Sequence, residues 1–158
     1  MSSVVPEGYK TSALGLIPID WEVKELGNEI ELLEAGVSVN STDDKMLPND
    51  LCILKTSAVS DGRFYPSECK KIKIEDVSRA KLNPQKNTIV ISRMNTPELV
   101  GECGYVDNTH LNLFLPDRLW QTKFFQYSTI EPKWLNYLLN TDKYKLKVKA
   151  QQQEQVIA

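Results

Sequence analysis

Residues Thr88 to Phe124 read TIVISRMNTPELVGECGYVDNTHLNLFLPDRLWQTKF, alternating β-branched apolar runs with polar breaks marked by proline and glycine. Thr88-Ile89-Val90-Ile91-Ser92 has the composition of a buried strand. Arg93, Asn95 and Thr96 follow at once, and Pro97 biases Thr96 away from helix, so hydrogen-bonding side chains fall where the strand ends. Val100 to Val106 reads as another strand, its glycines Gly101 and Gly104 permitting a bulge or a close backbone approach. A further apolar run, Leu111 to Leu115, is halted by Pro116-Asp117-Arg118, since proline lacks a ladder donor. Leu119 to Phe125, with Trp120, reads as a packed strand. The pattern predicts a mixed α/β domain of α+β type: a twisted, mostly antiparallel sheet with short flanking helices and a C-terminal helix.

Outward from that stretch the signals are more varied. Residues Met1 to Asp20 carry two prolines, two glycines and little periodicity, which predicts an extended arm over the surface. Trp21 and Val23 alternate with charged neighbours, predicting a strand that enters the core with Trp21 as anchor and stops at Gly27. Asn28 to Leu33 suits a short helix. Gly36 to Asp50 is rich in Ser, Asn, Asp and Thr and reads as a long polar loop. Leu51 to Leu54 is a short apolar strand leading into Lys55-Thr56-Ser57, then a turn at Asp61-Gly62 and Arg63. Glu75 to Leu82 suits a short helix that Asn83-Pro84 stops. The strongest helix signal follows Ser128-Thr129 as cap, with Pro132 in the first turn and Trp134, Leu135, Leu138 and Leu139 at helical spacing as a core-packing face.

A chain of 158 residues is one domain's worth, and 41% hydrophobic with 25% charged residues lies near globular averages. No apolar run approaches the roughly 18 residues of a membrane span, and Met1 to Pro6 lacks the regions of a signal peptide, so a cytoplasmic protein is expected. Cys52, Cys69 and Cys103 are odd in number and widely spaced, which favours reduced thiols over a disulfide framework. With His110 they number the four ligands of a zinc site, but no pair has the close spacing of structural zinc sites. The net charge of −2 opposes unaided DNA binding. Basic residues are concentrated locally, however, at Lys70, Lys71, Lys73, Arg79, Lys81 and Lys86 and again at Lys143 to Lys149, while much of the acid lies between Asp20 and Asp50. That predicts a polarised surface.

Ser92-Arg93-Met94-Asn95-Thr96-Pro97-Glu98-Leu99-Val100-Gly101, with Leu113-Phe114-Leu115-Pro116-Asp117-Arg118-Leu119-Trp120, closely resembles the target recognition domain of the specificity subunit of type I restriction-modification systems. Gly8-Tyr9-Lys10 through Ile17-Pro18, Asp20-Trp21-Glu22-Val23 through Leu26-Gly27, and Leu54 to Val59 with Asp61-Gly62-Arg63-Phe64 agree, so the resemblance spans roughly Gly8 to Asn140. It implies a non-catalytic module, without cofactor or metal, that reads one half of a bipartite target in double-stranded DNA. Its implied protein partners are the methyltransferase (modification) and restriction subunits and a second specificity-subunit fragment. Residues 1–142 would be the recognition domain and 143–158 the start of a helical connector, shorter than the family's, as in a partial subunit.

The candidate DNA-binding residues are Lys55, Thr56, Ser57, Arg63, Ser92, Arg93, Asn95, Thr96, Arg118 and Lys123. Arginine suits guanine edges or phosphate, Asn95 suits adenine, and Lys55 and Lys123 suit the backbone. Because the Ser92–Thr96 and Leu115–Trp120 blocks resemble what family members of differing specificity share, they are expected to grip backbone or shape the fold. Base choice is expected in Ser38 to Pro48, Phe64 to Lys71 and Gly104 to Asn112. Two other readings remain: a carboxylate metal site of Glu98, Glu102, Asp107 and Asp117 for a nuclease, and a protein-interaction domain that binds no nucleic acid.

Overall fold

The computed structural model describes residues 4–93 and 101–145. In chain order its strands are β1 (Tyr9–Ser12), β2 (Gly15–Pro18), β3 (Ile30–Ala35), β4 (Ser41–Thr42), β5 (Cys52–Leu54), β6 (Val59–Ser60), β7 (Arg63–Phe64), β8 (Cys69–Ile72), β9 (Thr88–Ser92), β10 (Cys103–Val106), β11 (Leu113–Phe114) and β12 (Leu119–Phe124), followed by helix α1 (Pro132–Leu139). Tight 3-10 turns occupy Leu26–Asn28, Thr56–Ala58 and Ile74–Arg79.

Among the described residues these strands form two four-stranded sheets and two hairpins. The first sheet, in the order β10-β9-β12-β3, is antiparallel throughout. The second runs β11-β5-β8-β4 and is antiparallel except for the parallel pair β11 and β5. The mixed, largely antiparallel architecture with short helices is the one that the strand pattern predicts, though split between two sheets.

Strand alternation sorts the apolar residues into two layers. Val90, Val106 and Leu119 face the second sheet and pack with Cys52, Leu54, Ala58, Val59, Leu113 and Leu115. On the opposite side Ile89 and Cys103 pack under Leu135 of α1. A buried polar network ties the loop 83–88 to this frame. Gln121 is 1% exposed; its Oε1 accepts from the Gln85 amide at 2.9 Å and from the Thr88 hydroxyl at 3.0 Å. Asn83 in turn donates to the carbonyls of Leu113 (2.7 Å) and Leu111 (3.1 Å). The β9–β12 ladder ends at Gln121, and the Thr122 hydroxyl takes over by accepting from the Ile89 amide at 2.9 Å, so that buried donor is satisfied.

The Asp61-Gly62 turn behaves as its residues dictate: both have positive φ (52° and 74°), the conformation of a tight hairpin turn, and β6 pairs with β7 across it. Two close approaches require glycine. A Cβ on Gly104 would lie 2.6 Å from the Arg63 carbonyl carbon, and one on Gly36 would lie 1.7 Å from the Leu115 carbonyl oxygen.

Several expectations are corrected. Residues 30–35 form β3 rather than a helix over Asn28 to Leu33; the open edge of β12 takes them into register from Trp120↔Ala35 to Phe124↔Ile30, and strand pairing overrides helix propensity. Trp21 and Val23 form no strand and are 61% and 48% exposed. Gly27 lies within a 3-10 turn. The N-terminal arm is exposed as expected but contains the β1–β2 hairpin. The N-cap of α1 is Glu131, whose carboxylate accepts from the Lys133 amide, and Ser128 instead hydrogen-bonds Glu29. Leu135 is the buried member of the predicted helix face, whereas Trp134 is 57% exposed.

Candidate nucleic-acid interface

Arg93 and Arg118 meet at one end of the first sheet. Leu119 pairs with Ser92, so the residues just outside that pair are neighbours, and the Arg93 amide donates to the Arg118 carbonyl at 3.0 Å. Both side chains are exposed. The Arg93 guanidinium stands 5.7 Å from the centroid of the Trp120 ring, a cation–π contact that limits its rotamers while leaving its N–H donors available. Trp120 is thus a site residue that sequence reasoning placed only in the packing; nothing in a separation of 27 positions betrays the contact. An apolar groove continues from this pair, lined by Ile91, Cys103, Leu33 and Leu139.

The remaining candidates divide. Ser92 is 3% exposed and lies on the core side with Val90, as strand alternation dictates, and it also lines the groove beside Arg93. Lys55 and Ser57 both turn to Glu68, the lysine at 4.0 Å and the hydroxyl donating at 2.8 Å. Thr56 is half-buried in the 3-10 turn between them. Arg63 is exposed on β7. Asn136, itself buried, donates to the Gly62 carbonyl at 3.0 Å and so fixes the turn that precedes it. Lys123 pairs with Glu31 at 3.9 Å. At roughly 3.3 Å per residue it lies about 16 Å along the strand from Arg118. Asn95 and Thr96 lie outside the described residues.

The expected segregation of charge is also corrected. The loop before β5 folds back on β8, where Lys70 meets Asp43 at 2.9 Å and Lys71 meets Asp50 at 3.4 Å; Arg79 pairs with Asp76 at 3.3 Å. Lys73, Lys81 and Lys86 stay exposed. Asp76 is held below the usual carboxylate range chiefly by the Asn40 amide, which donates at 2.7 Å, against the opposing effect of burial. Asp50 is lowered in the same way by the Leu47 amide. Asp76 thereby ties the polar loop 36–50 to the 3-10 turn Ile74–Arg79, whereas Asp50 closes the loop on itself and reaches β8 through Lys71.

Neither metal reading finds its geometry. Among the described residues no three His, Cys, Asp or Glu side chains converge as a metal site, and Glu98 lies outside them. Cys103 is in the layer under α1, whereas Cys52 and Cys69 are in the other. Glu102 is held by Lys145 at 3.5 Å. No helix among the described residues is long and apolar enough to cross a membrane.

No family model matches the chain. It is similar to a protein of Methanocaldococcus jannaschii named "Putative type I restriction enzyme MjaX specificity subunit", 27% identical over 150 residues that cover 88% of this chain and 32% of that protein. The chain therefore spans about a third of the length of this relative. The family resemblance read from Ser92 to Trp120 and the flanking blocks is supported by this similarity.

Proposed function

We propose that the chain is a non-catalytic DNA-recognition module that reads one half of a bipartite target for a type I restriction-modification complex. The similarity to a specificity subunit over most of the chain carries this reading. The surface arginines Arg93 and Arg118, brought together at the strand ends with Arg93 backed by Trp120, are the chemistry that supports it. Residues 1–142 would be the recognition domain and 143–158 the start of a helical connector in a cytoplasmic assembly. Its partners would be double-stranded DNA, modification and restriction subunits and a second specificity-subunit fragment. Arg63, Arg93 and Arg118 are the principal contacts in this reading, with Lys55 and Lys123 exchanging a carboxylate for phosphate and Asn95 and Thr96 adding contacts beside Arg93.

Arg93→Ala and Arg118→Ala should each weaken binding to a selected target and to random duplex by similar factors, and each should flatten the salt dependence by about one unit of log–log slope. Measured by titration at several salt concentrations, normal binding to random duplex with loss at the selected site alone would make that arginine a base reader and overturn the assignment to backbone.

A second reading, a protein-interaction domain without nucleic acid, is favoured by the exposed apolar side chains of Leu14, Trp21, Val23 and Trp134, which line one groove beside α1. The two readings differ in one respect: only the first requires Arg93 and Arg118.

A further inference from the structure

Three sulfur atoms converge at the seam of β5 and β8. Met46, on the loop between β4 and β5, places its Sδ 3.2 Å from Cys52 Sγ and 3.7 Å from Cys69 Sγ. The two thiols, both free, also come within hydrogen-bonding reach of each other. Cys52 and Cys69 are 3% and 8% exposed, while Met46 is 41% exposed and opens the cluster to solvent.

A disulfide does not explain this convergence. Cys69 lies opposite Leu54 and Cys52 opposite Lys71, so the cysteines are diagonal rather than facing neighbours. Diagonal positions on paired strands are roughly 7–8 Å apart, beyond the roughly 4.4–6.8 Å that a disulfide spans between Cα atoms. An ion held between the sulfurs meets the spacing better. Three sulfurs each about 2.3 Å from one metal stand roughly 4 Å from one another, an opening of less than about 1 Å from the observed distances.

The donor set selects the ion. Two thiols and a thioether are all soft, and the nearest oxygen that Cys52 Sγ contacts is the Asp50 carbonyl at 3.6 Å. The Asp50 carboxylate is engaged by the Leu47 amide at 2.6 Å and by Lys71 at 3.4 Å. Zinc takes four ligands in structural sites, whereas thiolate and thioether donors suit a soft d¹⁰ monovalent ion. Burial pushes both thiols up, Cys52 to about 11, and Lys71 and Lys55, themselves paired with Asp50 and Glu68, pull the other way, so the metal–thiolate bonds must drive the release of the protons.

We propose that Met46, Cys52 and Cys69 form a three-sulfur binding site for a soft monovalent cation of the Cu(I) or Ag(I) type. On binding, the two S–H bonds break and two protons pass to solvent. Two metal–thiolate bonds and one metal–thioether bond form, with no change of oxidation state. The ion would pin the loop 43–51 to the sheet through Met46.

The test is anaerobic titration of the reduced chain with Cu(I) against a chromophoric chelator, together with X-ray absorption of the loaded protein. The expected result is one equivalent bound and three sulfur neighbours at about 2.3 Å. Met46→Leu replaces a loop side chain of similar volume and leaves the core intact; it should reduce the shell to two sulfurs and weaken binding. Cys52→Ser should lose the equivalent, and Cys103→Ser, in the other layer, should keep it. No stoichiometric uptake, uptake that survives Cys52→Ser, or a two-sulfur shell unchanged by Met46→Leu would overturn the site and leave the cluster as core packing. The DNA titrations are separate from this readout.

Discussion

Gly36→Ala should destabilise the chain by about 3 kcal/mol or more, because the added methyl has nowhere to go. Its Cβ would sit 1.7 Å from the Leu115 carbonyl oxygen and 2.4 Å from the carbonyl carbon, so backbone, not a flexible side chain, must move. That backbone belongs to the run between β11 and β12, whose Leu115 is fully buried and whose amide bonds to the Leu82 carbonyl. Separating Gly36 from Leu115 therefore strains the end of β3 and the core between the two sheets together. Gly27→Ala is the control, since a Cβ there meets nothing within 4 Å and should change stability by no more than about 0.5 kcal/mol. Urea unfolding of the two variants decides it. Equal midpoints would show that the close approach at Gly36 is not part of the native fold.

Leu135→Ala should cost about 2–5 kcal/mol, the range for removing a buried leucine and leaving a cavity. Leu135 is 1% exposed and is the side chain by which α1 enters the layer of Ile89 and Cys103. The neighbouring Asn136 holds the Gly62 carbonyl, so loosening α1 also frees the turn before Arg63. Trp134→Ala, one position away, removes a larger side chain that is mostly in solvent, and its effect on stability should stay within about 1 kcal/mol. Should Trp134→Ala prove the more damaging in thermal or urea unfolding, the helix would be docked by the wrong face.

Why some of this was legible and some was not follows from the range of the forces involved. β9, β12, the Asp61-Gly62 turn and α1 are fixed by local pattern: β-branched runs, a positive-φ dipeptide, a proline at the first helical position. Asn28 to Leu33 reads as helix because its local propensity is helical, and only the edge of β12, some 90 positions on, makes residues 30–35 a strand. Trp21 misled because a large aromatic is a good prior for burial, yet its neighbours in space are the exposed side of α1 and the β1–β2 arm. At the candidate interface, Arg93 and Arg118 could be named from sequence, and their adjacency depends on the β9–β12 register. The pairing of Lys70 with Asp43 and Lys71 with Asp50 could not be anticipated, since it depends on how the loop folds back. The burial of Ser92 is legible as well, because alternation from Val90 assigns it to the core side.

The central claim is that this chain grips duplex DNA through surface arginines and lysines despite a net charge of −2. Fluorescence anisotropy of the unmodified chain with a labelled random-sequence duplex, from low to moderate salt, tests it most directly. The account predicts saturable binding at low salt and a linear fall of log K with log salt, steeper than about −2 if Arg93, Arg118 and one further cation each neutralise a phosphate. Absence of binding at the lowest salt, or binding indifferent to salt, would contradict it.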